Sequence, residues 1–243
     1  MIRALLSTIS FFIATIAGSV AAVVCGVVDK SGESVLALAR LWSRVILGVP
    51  GVKLEVTTRA RLDPARPYIF MPNHASMVDI WAVFVTIPVS FRFIAKKQLS
   101  RIPLFGWAMA AGRFIFIDRQ NAVAARRSMD EAARRIRAGQ SVVIFPEGTR
   151  TRTGRLLPFK KGGFHLAIEA GVAIVPVAIR GSGAAMPPGS PLIRSGTVTI
   201  EVDEPIPTEG LTIADRDALI TRVRARVAAM LGEPPDGAGA APQ

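Results

Sequence analysis

Apolar residues are spread unevenly along the chain. Between Arg3 and Asp29 lie 25 consecutive residues without a charge. As a helix, residues 4–28 would run about 37 Å at 1.5 Å per residue, against a hydrocarbon core of roughly 30 Å. The segment is therefore expected in lipid, either spanning it or dipping into one leaflet. A secretory signal peptide is the competing reading, with Arg3 as a minimal positive region; signal cores are usually shorter, about 7–15 residues, and no polar cleavage region follows Val28. A second apolar stretch, Ser34 to Leu47, carries Arg40 and Arg44 on one face with Trp42 close by, and Leu36, Leu38, Val45, Ile46 and Leu47 around the rest. That pattern suits a helix lying in the membrane interface. Pro50 and Gly51 break it, and the globular part starts there.

Beyond Gly51, short β-branched or aromatic runs alternate with helical stretches. Strands are expected at Leu54–Thr58, Tyr68–Met71, Phe91–Ala95, Phe114–Ile117, Val142–Phe145, Ile174–Ile179 and Val198–Val202. Helices are expected at Asp79–Thr86, Ala122–Ala138, Gly163–Ala170 and Ile213–Leu231, the second and third stopped by Gly139 and Gly171. Such alternation predicts an α/β fold with a mostly parallel sheet flanked by helices. The division expected is a membrane-associated helical pair at 1–50, a catalytic domain at 51–232 and a disordered, Gly/Pro/Ala-rich tail at 233–243. There is no internal repeat.

Charge narrows the partners. The net charge is +12 and the isoelectric point about 11.2, which points to anionic partners: lipid head groups, a phosphorylated substrate or nucleic acid. A mean hydropathy of +0.39 favours the membrane. The positive-inside bias would hold the basic bulk on the cytoplasmic side. The single cysteine, Cys25, can form no internal disulfide. One cysteine and two distant histidines make no usual zinc site, and there is no Walker loop, strand-borne GxGxxG or GxSxG elbow.

The stretch richest in chemistry is Asn73-His74-Ala75-Ser76-Met77-Val78-Asp79, where the Tyr68–Met71 strand runs out into a loop. Ligands gather at strand ends in open α/β sheets. Residues five apart on a regular helix diverge by about 140°. His74 and Asp79 therefore meet only if His74 lies in the loop ahead of a helix starting near Ser76. Asp79 could then accept from one ring nitrogen and leave the other to take a proton. Ser76-x-x-Asp79 also fits a plain capping box.

A second stretch, Phe145-Pro146-Glu147-Gly148-Thr149-Arg150 with Arg152 and Arg155, follows another apolar strand. Guanidinium forks suit phosphate, and glycine admits close approach of a ligand to the backbone. From Arg113 to Lys161 there are 12 Lys/Arg against 4 Asp/Glu; the 122–138 helix absorbs part of this surplus in pairs with Asp130 and Glu131, the loop does not. Asp118-Arg119 ends a third strand and can form its own ion pair. Lys160 and Lys161 open a helix, and Lys96 and Lys97 end a strand; all four are anion candidates whose bland alternative is a solvated charge. His165, inside a helix between Phe164 and Leu166, reads as structural.

Taken together, these stretches resemble the glycerolipid acyltransferase family of 1-acyl-sn-glycerol-3-phosphate acyltransferases. Its Asn-His-x-x-x-x-Asp block matches at Asn73, His74 and Asp79, and its Gly-x-x-Phe-Ile-Asp-Arg type strand matches, with an extra residue, in Gly112 to Arg119. Its Phe-Pro-Glu-Gly-Thr-Arg block is complete from Phe145 to Arg150, and its proline inside an apolar strand is Pro176. The resemblance implies that His74 is a general base oriented by Asp79, and that no acyl-enzyme forms. It implies substrate-binding roles for Asn73, Lys97, Arg119, Glu147, Gly148, Thr149 and Arg150, with Glu147 touching a glycerol hydroxyl or holding Arg150. It implies no cofactor, an acyl-CoA or acyl carrier protein donor, lysophosphatidic acid as acceptor, membrane lipids but no nucleic acid as partners, and residence on the inner membrane. The same blocks would serve another acceptor: glycerol-3-phosphate, another lysophospholipid or a lyso-aminolipid. A thioesterase, or a non-enzymatic basic protein holding anionic lipid, are the more distant readings.

Overall fold

The computed structural model describes residues 2–118 and 122–234. Two helices come first, α1 (Ile2–Val28) and α2 (Glu33–Gly48). There follow β1 (Val52–Thr58), β2 (Ile69–Pro72), α3 (Val78–Thr86), β3 (Phe91–Lys96), a 3-10 turn (Lys97–Arg101), α4 (Phe105–Ala111) and β4 (Ile115–Ile117). The second half runs α5 (Ala122–Arg137), β5 (Ser141–Val143), α6 (Lys161–Ala170), β6 (Ile174–Arg180), α7 (Ser182–Ala185), β7 (Gly196–Val202), a 3-10 turn (Ile213–Asp215) and α8 (Arg216–Leu231). All seven expected strands are present, within three residues at either end. The short helices α4 and α7 were not foreseen. The expected tail lies outside the described residues except for Glu233 and Pro234, and Arg119 lies outside them too.

The strands make one sheet in the order β1-β7-β6-β2-β5-β3-β4, parallel except where β6 meets β7. Period-two alternation divides its side chains between two cores. Phe70, Val143, Val175 and Val177 pack with α2 and α3 on one face; Ile69, Met71, Val142 and Ile174 pack with α5, α6 and α8 on the other. Pro176 accepts from Asp203 N (3.0 Å) but has no N–H to return, so the β6–β7 ladder begins only at Val177.

This topology locates the crevice. From β2 the chain crosses to β3 on one side, while from β5 it crosses to β6 on the other. The following helices, α3 and α6, therefore cover opposite faces, and the carboxyl ends of β2 and β5 are left open between them. Such a switch point is where open α/β sheets bind ligands.

The N-terminal pair is fastened to the same body. Arg92 on β3, 1% exposed, donates to Glu33 (2.9 Å) and to Ser31 O (3.0 Å), pinning the α1–α2 turn. Arg40 differs from the interfacial expectation: its guanidinium turns inward and donates to Ile87 O and Val89 O, supplying the donors that a helix end needs. Arg44, Leu41 and Val45 do face outward. Helix α1 lies along this surface, with Phe11 against Trp81 and Trp42 Nε1 donating to Thr15 (3.1 Å). Its other side exposes Ile9, Phe12, Ile13, Ile16, Val20, Val24, Val27 and Val28. The segment Thr8–Val28 is long and apolar enough to cross a membrane.

Candidate active site

The end of β2 delivers Asn73 and His74 into the crevice before α3 begins. His74 Nδ1 lies 2.8 Å from Asp79 Oδ2. An ionised carboxylate only accepts, so Nδ1 carries the proton and Nε2 is the basic nitrogen. Oδ2 also accepts from Ala75 N (2.7 Å) and Ser76 N (2.8 Å). Both sequence readings of Asp79 therefore hold at once, since one oxygen closes the turn and orients the ring. The Ser76 half of the capping box is diverted, because its hydroxyl donates to Met186 O (2.7 Å). Asp79 is fully buried, and its Oδ1 has no partner. An under-satisfied buried anion is costly, and a positive charge arriving on the adjacent ring would offset that cost.

The end of β5 brings the Phe145–Arg150 turn alongside. Glu147 is 1% exposed. Its Oε1 accepts from His74 N (2.6 Å) and its Oε2 from Leu157 N (2.9 Å). Both oxygens thus hold backbone N–H groups, where a contact to Arg150 or to a glycerol hydroxyl was expected. Burial pushes its carboxyl up to about 7, against the lowering effect of those two donors; the negative charges of Asp79 and Glu233 add to the rise. The turn is tied further by Thr151 N donating to His74 O (2.8 Å) and Lys160 N to Pro146 O (2.7 Å). His74 is held through both its N–H and its C=O by the same loop that carries the arginines. Gly148 supplies the positive φ (73°) that lets the loop turn there.

Asn73 also points inward, its amide exchanging bonds with Ile179 N (2.7 Å) and O (3.0 Å); it braces β2 against β6. Thr149 and Arg150 are exposed. Lys97 pairs with Asp118 (3.1 Å), and Lys161 with Asp217 (3.4 Å). His165 stays with Glu169 on α6 (3.6 Å), as its structural reading requires. Among the described residues no group of His, Cys, Asp and Glu is placed to hold a metal ion.

A cavity of about 390 Å³ opens at His74, with Gly148 and Arg150 at the same mouth. It runs between the catalytic body and the N-terminal pair, past Trp81, Phe84, Phe93 and Phe114, to Ala22, Ala39 and Thr15. The wall is mostly apolar; charged groups and the imidazole stand at the mouth, and Thr15 and Ser19 are small hydroxyls contributed by α1.

Phe145 was missed as a site residue. Its ring stacks on His74 with centroids 3.9 Å apart and an interplanar angle of 17°, and Phe93 stacks behind it. The only signal was its place, the residue before Pro146 at a strand end. The contribution of α1 and α4 to the groove had no signal in local sequence.

Residues 53–180 match the model of a family described as Acyltransferase. The 1-acyl-sn-glycerol-3-phosphate acyltransferase beta of Homo sapiens is 41% identical over 171 residues, covering 70% of this chain and 62% of that protein. The alpha counterpart of Homo sapiens is 35% identical over 202 residues, 83% of this chain and 71% of that one. This chain thus spans somewhat under two thirds of the first relative's length. The crystal structure of the 1-acyl-sn-glycerophosphate (LPA) acyltransferase, PlsC, from Thermotoga maritima has the same fold. The TM-score is 0.81, at 24% identity, over 100% of this chain and 99% of that one.

Proposed function

Because the chain belongs to the acyltransferase family, we propose that it transfers a fatty acyl group from acyl-CoA or acyl carrier protein to the sn-2 hydroxyl of lysophosphatidic acid, forming phosphatidic acid. The observation that carries this reading is the His74–Asp79 pair, 2.8 Å apart, at the polar mouth of a long apolar groove beside Arg150. In the reaction, His74 Nε2 removes the hydroxyl proton as the oxygen attacks the thioester carbonyl. The Asp79 carboxylate balances the imidazolium. The C–S bond then breaks, and the imidazolium returns its proton to the departing thiolate. No acyl-enzyme is required. Arg150, with Thr149, Gly148, Arg119 and Lys97, takes the phosphate of the acceptor. Asn73 and Glu147 act from behind by holding β2 and the His74 backbone.

The exposed apolar side of α1 supports residence in a membrane, and the charge distribution favours the inner membrane: the basic bulk sets the catalytic body on the cytoplasmic side. The test is a membrane assay that offers labelled acyl-CoA or acyl carrier protein with a panel of lyso-acceptors. Labelled phosphatidic acid is the product expected, and it should vanish when His74→Ala removes the base, a loss on the order of 10²-fold or more. Label appearing in another lipid would reassign the acceptor, and free fatty acid made without acceptor would reassign the reaction to hydrolysis.

A further inference from the structure

The β3–β4 crossover carries a surface that the chemistry above leaves unexplained. Of the three tryptophans, Trp81 is 1% exposed while Trp107 on α4 is 58% exposed. Ile102 is 45% exposed, and Pro103 and Ala110 are also open to solvent. Trp107 and Ala110, three apart on α4, share one face of the helix, and the exposed Ile102 and Pro103 precede it in the turn that leads in. Solvated lone hydrophobics are ordinary; a tryptophan at the centre of such a patch asks for a partner.

The backbone holds this patch in place at some cost. Leu104 (φ 61°) and Arg113 (φ 57°) bracket α4 in the left-handed region that side chains avoid. Gly106 sits so close to the preceding turn that a Cβ there would lie 2.4 Å from Ser100 O. The opposite side of α4, with Phe105, Ala108 and Met109, lines the groove to His74. A flank of it packs on α1, where Ala108 meets Ala22 and Ala111 faces Gly26, at which an added Cβ would lie 2.5 Å from the Ala111 Cβ. The helix that carries the patch therefore packs directly beside α1, whose Val20, Val24, Val27 and Val28 are exposed. Exposed Arg101 and Arg113 flank the segment in sequence, and exposed Lys30 belongs to the α1–α2 turn, whose Gly32 lies against Gly112.

We propose that the outer face of α4, centred on Trp107, seats in the head-group layer of an anionic phospholipid leaflet, as a second lipid contact beside α1. Indole favours that layer, having an apolar body and one N–H for the wet side. The surrounding cations match anionic head groups. Direct packing beside α1, whose exposed side is apolar and long enough to cross a membrane, argues for bilayer over a second copy of the chain as the occupant. The inference rests on the membrane-bound reading above and gives it a geometry: with α4 at the interface, the groove opens to the leaflet that supplies its acyl chains.

The test uses the full chain in vesicles of phosphatidylcholine and phosphatidylglycerol at high lipid-to-protein ratio. Subtracting the emission of a Trp107→Phe variant from that of the wild type isolates the Trp107 signal. Lipid brominated near the carbonyl end of its chains is expected to remove most of that signal, and aqueous iodide little of it. The reverse pattern overturns the proposal. Emission reached by neither quencher would mean that protein covers the patch, and overturns it equally. A chain that floats with the vesicles and transfers acyl groups while Trp107 stays open to iodide loses this inference alone; a chain that does not float loses the membrane reading with it.

Discussion

Replacing Asp79 by Asn removes one charge and almost nothing else, so its effect on turnover can be worked from the site. The amide oxygen can still accept from Ala75 N and Ser76 N, and its nitrogen falls where Oδ1 now has no partner, so the turn into α3 should survive. What is lost is the carboxylate beside the imidazolium. At the 2.8 Å contact the charge centres are about 4 Å apart, which at an effective dielectric of about 20 is worth roughly 4 kcal/mol. The hydrogen bond that an amide retains recovers about 1 kcal/mol. The balance of about 3 kcal/mol corresponds to a kcat lower by a factor on the order of 10². The assay is transfer of labelled acyl chain from acyl-CoA to lysophosphatidic acid in detergent or vesicles, at saturating substrates, with helix content followed by circular dichroism. A kcat within about threefold of wild type, in a variant of native helix content, would show that the Asp79 charge does not assist transfer.

The remaining variants probe separate parts of the site. Arg150→Ala should raise KM for a phosphorylated acceptor by about 10-fold or more and spare kcat, the signature of lost ground-state binding; a pure kcat effect would place Arg150 elsewhere in the mechanism. Phe145→Leu should lower kcat several-fold with KM little changed, because the ring stacked on His74 fixes its plane, and Phe145→Tyr should restore it; equal loss in both variants would contradict the stacking role. Glu147 links stability to pH. Its folded carboxyl, raised from 4.5 to about 7, binds a proton that the unfolded chain releases, so stability is full below about 4.5 and falls as pH rises towards 7, by about 3 kcal/mol in all. Thermal unfolding in detergent between pH 5 and 8 should show that slope in the wild type and a flatter one in Glu147→Gln; identical slopes would remove Glu147 as its source.

Local pattern carried most of the fold. Each strand is a short β-branched or aromatic run with a turn residue beside it, and that signal needs no tertiary knowledge. It faded where the chain prepares the site. The Val142–Phe145 run was expected to stay in the sheet to its end, yet β5 stops at Val143; Ile144 N still donates to Phe70 O (3.0 Å), and the chain leaves the sheet at Phe145 for the glutamate turn. Helix α4 was invisible because Pro103, Gly106 and Gly112 interrupt any period, and its order comes from packing on α1. The His74–Asp79 pair was legible because five-residue spacing across a helix start has one workable geometry. The backbone partners of Glu147 were illegible for a complementary reason. A carboxylate among arginines reads locally as part of a phosphate site, while one of its two backbone partners, the His74 N–H, lies 73 residues away. Asn73 and Ile179, 106 residues apart, were equally out of reach. Contacts set by the order of strands in the sheet leave no trace in a linear window.

The same strand order accounts for why the site should transfer rather than hydrolyse. Adjacent parallel strands β2 and β5 put the base and the arginine loop side by side, and Glu147 and Thr151 N lock the two through the His74 backbone. An acceptor caught by its phosphate at Arg150 has its hydroxyl held only a few bonds away, over the ring. Fixing a reactant this way can supply about 7 kcal/mol or more of the barrier. Water has no comparable handle. The imidazole is 13% exposed, lies beneath Phe145, and looks into a groove whose walls are mostly apolar beyond the mouth. A water molecule at that place would compete without any anchor to orient it, whereas the proposed lysophospholipid acceptor would be anchored at both its phosphate and its chain.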